Sequence, residues 1–193
     1  HGKSGGSFDK HTLLKRVDNM LDVVDYAQGL DFVTDLYLCG HSQGGLLIML
    51  VAALRPDAFK AIIPMSPAIV IVDAAREGNM FGMTFDPAHV PDRIYLGDPK
   101  LAEGGTPVPS FCGDYFRIAQ HIHMDEVIAS YRGPVLFTHG TADEAVPVRY
   151  SIEASEAYAH ARLVLLEDDD HGYHKHLDQV CSAIQDFVRE LSF

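Results

Sequence analysis

The sequence predicts an α/β protein built on a mostly parallel sheet with helices on both faces. Three observations carry this. Short apolar runs alternate with longer helical segments, as parallel strands and their covering helices require. One run, "DLYLCG", passes through a glycine-flanked turn straight into "HSQGGLLIMLVAALRP". An irregular middle stretch, rich in Gly and Pro, interrupts an alternation that then resumes, which marks an insertion.

The elements follow in order. From Thr12 to Gln28 the apolar residues Leu13, Leu14, Val17, Leu21 and Val24 recur at helical spacing, and Gly29 supplies the stop. "DLYLCG" reads as a short buried strand, and the apolar segment after it is long enough for a buried helix closed by Pro56. "AIIPMS" is the next strand. The insertion then holds short helical pieces such as "DYFRIAQHI". After it come strand "PVLFTHG", a helix from about Val148 to His160, strand "RLVLLED" and an amphipathic helix from about His174 to Leu191. The domain reading is a core of residues 1–67 and 127–193 with an inserted subdomain at 68–126.

Composition excludes several functions. The chain has 193 residues, 47% hydrophobic and 22% charged, enough for one sizeable core. Its 15 basic and 27 acidic residues give a net charge of −12, which works against unaided binding to nucleic acid or anionic membrane. There is no run of about 18 apolar residues to span a bilayer. Cys39, Cys112 and Cys181 are odd in number and scattered, which suits reduced core thiols in a cytoplasmic protein better than a disulfide framework.

The sharpest chemical signal is "GHSQGG", Gly40 to Gly45, a G-x-S-x-G motif with a strand before it and a helix after it. In that context Ser42 sits on a strained turn that exposes its hydroxyl, and the helix start aims N–H groups at developing negative charge. The backbone N–H of Gln43 is thus the first oxyanion donor. Serine is a poor nucleophile alone, so a carboxylate and an imidazole must follow. "PVLFTHGTADEAVP" places Asp143 just beyond a strand end, with Glu144 as its competitor, and His139 as a support for that loop. "LLEDDDHGYHKH" supplies His171 as the first imidazole after the next strand. A metal reading of His171, His174 and His176 with the neighbouring aspartates fits no zinc spacing, so neither metal nor cofactor is expected.

Taken together, "DLYLCGHSQGG", "IPMSPA", "PDRIYLGD", "YFRIAQ", "HGTADEAVP" and "DDDHGYH" resemble the bacterial cinnamoyl or feruloyl esterases of the α/β-hydrolase fold, over the whole length of the chain. The resemblance implies a Ser42, Asp143, His171 triad and makes 68–126 the cap that grips the phenolic acid. By position in that cap, Asp73 and Tyr115 resemble residues that meet the ring hydroxyl, with Phe81, Met80 and Met83 as apolar walls. It also implies that "HGKSGG", His1 to Gly6, is a loop after an early strand and carries part of the oxyanion hole; a phosphate loop would need Lys3 and Ser4 to open a helix, where Gly5 and Gly6 are unfavourable. The family's first strands are absent before Ser42, so the open sheet edge is expected to be completed by a preceding segment or by a second copy of the chain.

The function implied is hydrolysis of hydroxycinnamate esters through an acyl-enzyme, with a small aromatic ester as the partner. A general acyl esterase or monoglyceride lipase, a peptidase of the same fold and a non-catalytic binding module are the competing readings.

Overall fold

The computed structural model describes residues 5, 10–80, 82–97, 100 and 110–192. Phe81, and all of "HGKSGG" except Gly5, lie outside the described residues. The chain divides into two units, one comprising Met20–Val70 and His123–Phe193, the other Ile71–Ile122 with the chain up to Asn19.

Helix α1 (Leu13–Gln28) buries Leu13, Val17 and Val24, positions that helical spacing puts on one face. Strand β1 (Tyr37–His41) leads into α2 (Gln43–Leu54), a helix that is apolar all round and buries seven residues from Gly45 to Ala52. Strand β2 (Ala61–Met65) is followed by α3 (Val70–Glu77), and in the second unit by two small hairpins. One pairs β3 (Asn79–Met80) with β4 (Met83–Thr84), the other β5 (Arg93–Tyr95) with β6 (Ser110–Cys112), both antiparallel. Helix α4 (Gly113–Gln120) closes that unit and α5 (Met124–Ser130) reopens the first. Then come β7 (Val135–Gly140), α6 (Arg149–Ala157), β8 (Ala161–Leu166) and α7 (Leu177–Leu191).

The main sheet runs β1-β2-β7-β8 with every pair parallel. All six residues of β7 are buried, as its continuous apolar run "VLF" followed by Thr138, His139 and Gly140 requires of a strand covered on both faces. Between β2 and β7 the paired residues are Ile62 with Val135 and Met65 with Thr138; between them lies Pro64, which has no N–H to donate. Under the sheet, Ala61, Ile63 and Leu136 pack on Phe187 of α7, with Ile184 and Val188 beside them. Burying a side chain the size of Phe187 contributes about 2 kcal/mol. No described helix is long and apolar enough to cross a membrane.

Because all four strands are parallel, their carboxyl ends lie along one edge. The residues just past those ends are Ser42, Ser66, Thr141 and Glu167, so the loops that carry Asp143 and His171 begin on the edge where Ser42 sits. That is where open α/β sheets place their chemistry.

Candidate active site

Ser42 has φ 57° and ψ −122°, a left-handed conformation that costs a non-glycine residue free energy and persists only where its surroundings impose it. The surroundings here are three hydrogen bonds. Ser42 N–H donates to Met65 O at 2.8 Å, while its own carbonyl accepts from Ala68 N at 2.9 Å and Leu46 N at 3.2 Å. A side chain at Gly40 would collide with the Gly44 carbonyl, and one at Gly45 would come within 2.9 Å of Pro67 Cα, so neither tolerates substitution. Gly44, by contrast, faces open space. Close backbone approach therefore requires glycine at Gly40 and at Gly45, the residue after the motif. Gln43 is the first residue of α2, which puts its N–H in the helix's first turn.

Of the two carboxylates, Asp143 meets His171, while Glu144 is exposed. Asp143 Oδ2 accepts from His171 Nδ1 at 2.7 Å and lies 3.2 Å from His139 Nε2, while Oδ1 accepts from Ala145 N at 2.9 Å and Val146 N at 2.8 Å. The Asp143 side chain is fully buried, and these donors offset the cost of burying it. With Nδ1–H committed to Asp143, Nε2 of a neutral His171 is the nitrogen left to accept a proton. Among the described residues no hydrogen bond joins the Ser42 hydroxyl to His171. Such bonds often tighten only once substrate is bound.

His139 is fully buried on β7. Its Nε2 faces two acceptors, Val146 O at 2.9 Å and Asp143, so it carries the hydrogen, and Nδ1 accepts from the Ser151 hydroxyl at 2.7 Å. Burial holds its pKa below the ordinary imidazole value, with the nearby His171 adding to the effect against the opposing pull of Val146 O and Asp143. A neutral ring of one tautomer therefore braces the carboxylate.

The loop carrying His171 is fixed from both ends. Asp169, fully buried, accepts from Asp170 N and Lys175 N at 3.0 Å and from His176 N at 2.9 Å. Burial pushes its pKa up, but these backbone donors outweigh it and hold the carboxyl below its ordinary value. The Tyr173 hydroxyl donates to Thr138 O at 2.9 Å and lies 2.8 Å from Ser66 Oγ and 3.0 Å from Thr138 Oγ1. His41 Nε2 lies 2.7 Å from the His171 carbonyl, and its ring centroid is 4.6 Å from that of His171. Sequence reasoning missed Tyr173, Ser66, His41 and Ser151; the first three make contacts between residues far apart in the chain, their one available signal being their place within the motif segments, and Ser151 meets His139 from the following helix. His174 is exposed and pairs with Asp170, while His176 bonds to Glu167 O.

The remaining candidates belong to the other unit. Asp73 lies in the first turn of α3, partly exposed, 3.8 Å from Arg76. Tyr115 is only 2% exposed, its ring centroid 5.7 Å from Phe111 and 5.3 Å from Phe116, and Met80 is buried on β3. Phe81 lies outside the described residues.

A strained serine between strand and helix, on the sheet edge that also carries a histidine–carboxylate pair, defines a serine hydrolase of the α/β-hydrolase fold. Comparison with known proteins agrees. The family model for serine aminopeptidase, S33, matches residues 1–93. Est1E from Butyrivibrio proteoclasticus, solved with ferulic acid bound, is 44% identical and superposes with a TM-score of 0.89 over 99% of this chain and 73% of its own. A monoacylglycerol lipase from Paleococcus ferrophilus, 19% identical, shares the fold with a TM-score of 0.67 over 99% of this chain and 80% of its own. Mouse alpha/beta hydrolase domain-containing protein 10, 20% identical, does so with a TM-score of 0.68 over 98% and 74%. No curated protein matches the chain. The chain belongs to the bacterial cinnamoyl/feruloyl esterase family of the α/β-hydrolase fold, and it is a serine carboxylesterase.

Proposed function

We propose that the chain hydrolyses esters of hydroxycinnamic acids with Ser42 as nucleophile, His171 as general base and acid, and Asp143 as the carboxylate that orients it. The observation that carries the triad is the 2.7 Å hydrogen bond from His171 Nδ1 to the buried Asp143 on the edge where the strained Ser42 sits. The substrate class rests on the 44% identity to Est1E, which binds ferulic acid.

In this mechanism His171 Nε2 takes the Ser42 hydroxyl proton as Oγ attacks the ester carbonyl, and Asp143 stabilises the imidazolium. The Gln43 N–H donates to the oxyanion at the start of α2. Collapse of the tetrahedral intermediate breaks the ester C–O bond, and the departing alcohol takes the proton back from His171. Water then repeats the attack on the acyl-enzyme, releasing the acid and restoring Ser42. In this reading residues 68–126 select the acyl group, with Asp73, Tyr115, Met80 and Phe81 as contact residues; the greater exposure of Asp73 than of Tyr115 supports Asp73 as the partner of a ring hydroxyl. None of the cysteines is the core thiol expected from sequence, Cys39 and Cys181 being exposed and Cys112 half-buried; their odd number and scatter support a reducing, cytoplasmic setting.

The test is turnover of methyl ferulate and of a medium-chain p-nitrophenyl ester by the protein and by Ser42→Ala. The expected result is hydrolysis of both, with the larger kcat/KM for the ferulate, lost in the variant. Turnover that survives the substitution rejects the triad, and a marked preference for the aliphatic ester rejects the substrate class.

A further inference from the structure

Asp143 orients the imidazole of His171 through Nδ1, but one hydrogen bond to a ring leaves the backbone of the loop to be placed by something else. The backbone of His171 itself has a partner: its carbonyl oxygen is 2.7 Å from His41 Nε2. A carbonyl only accepts, so His41 carries its hydrogen on Nε2 and donates it. The same ring lies against the base, 4.6 Å between centroids at 43°, and edge-on to Tyr173 at 5.8 Å. His41 is the last residue of β1 and the immediate neighbour of Ser42. The nucleophile turn and the base loop, 130 residues apart in sequence, are therefore joined by one side chain.

Building on the triad reading, we propose that His41 is a positioning residue: its Nε2–H holds the His171 carbonyl and so sets the distance between the base and the Ser42 hydroxyl. Tyr173 anchors the loop to the sheet through Ser66 and Thr138, two residues beyond the base. Among the described residues, His41 alone bonds the base residue's own backbone to the element that bears the nucleophile. Proton transfer from serine to imidazole is sensitive to displacements of about 1 Å, which can cost on the order of 100-fold in rate. A contact that acts through the placement of the base acts on the proton transfer, so its loss is expected to fall on kcat.

Three substitutions separate the hydrogen bond from the packing. His41→Phe keeps a ring and loses the donor, His41→Gln keeps an amide N–H at similar reach without the ring, and His41→Asn carries the same amide one carbon short of it. The experiment measures kcat and KM for methyl ferulate, with thermal unfolding of each variant, beside Ser42→Ala and His171→Ala. The expected result is a fall in kcat of about tenfold or more for Phe and Asn with KM within about twofold, and a Gln variant within about threefold of the parent. Should His41→Phe not fold, the Gln and Asn pair carries the same comparison. Parental kcat in His41→Phe or His41→Asn, or a Gln variant as impaired as they are, overturns the latch. If Ser42→Ala and His171→Ala retain activity, the triad reading itself has failed; if they are inactive while the Phe and Asn variants keep parental kcat, only the latch has.

Discussion

The chemistry of single residues here is a matter of which nitrogen holds a proton. Asp143 receives N–H groups from His171, His139, Ala145 and Val146, and the first of these fixes the His171 tautomer that the proposed general base requires. Asp143→Asn preserves size but cannot favour Nδ1–H, and it is expected to lower kcat by about 10⁴-fold with an unchanged circular dichroism spectrum, as steady-state assays will show. Tyr173→Phe removes the phenol that serves Ser66 and Thr138 in a fully buried setting, and urea unfolding is expected to show a loss of about 1–3 kcal/mol. Asp143 and His171 were each legible as candidates because each follows an apolar strand by only a few residues, but that the two meet was given by the structure, where parallel strands bring such loops to one edge. His41, Ser66, Ser151 and Tyr173 were not legible. Their partners are supplied by strand order and register, which local pattern does not contain.

At the scale of elements, the nucleophile turn separates glycines that are needed from one that is not. Gly40→Ala and Gly45→Ala each push a Cβ into backbone, whereas Gly44→Ala meets nothing and replaces a helix-weakening residue in the first turn of α2. Gly44→Ala is expected to unfold at or above the parental temperature, while the other two lose the fold or the activity. A melting temperature lowered by Gly44→Ala as much as by Gly45→Ala would count against this account of the turn. Element ends were less legible than element types. The last helix was expected from His174 and begins at Leu177, because Asp169 and Asp170 draw the N–H groups of His174, Lys175 and His176 into a carboxylate-bound turn. The helix expected over Val148–His160 ends at Ala157, with Tyr158 extended. The hairpins of β3–β4 and β5–β6 were missed since strands of two or three residues carry no period to read.

For the whole molecule, the buried His139 makes stability depend on pH. Its folded pKa lies below 6.5, so between that lowered value and 6.5 the unfolded chain binds more protons. Stability therefore rises with pH through this interval and is lost on acidification. His174 acts in the opposite sense, since its hydrogen bond to Asp170 raises its pKa, but that pair is exposed and screened. Urea midpoints measured from about pH 7.5 down to about pH 5 are expected to fall for the parent and to fall less for His139→Gln; equal slopes would remove His139 as the cause. The central claim, that this esterase works through a feruloyl group carried on Ser42, is tested most directly by acid-quenching the protein during turnover of an activated ferulate ester and mapping the adduct by peptide mass. One feruloyl group is expected on the peptide containing Ser42, and none in Ser42→Ala. Turnover with the adduct on another residue, or with none formed, would contradict it.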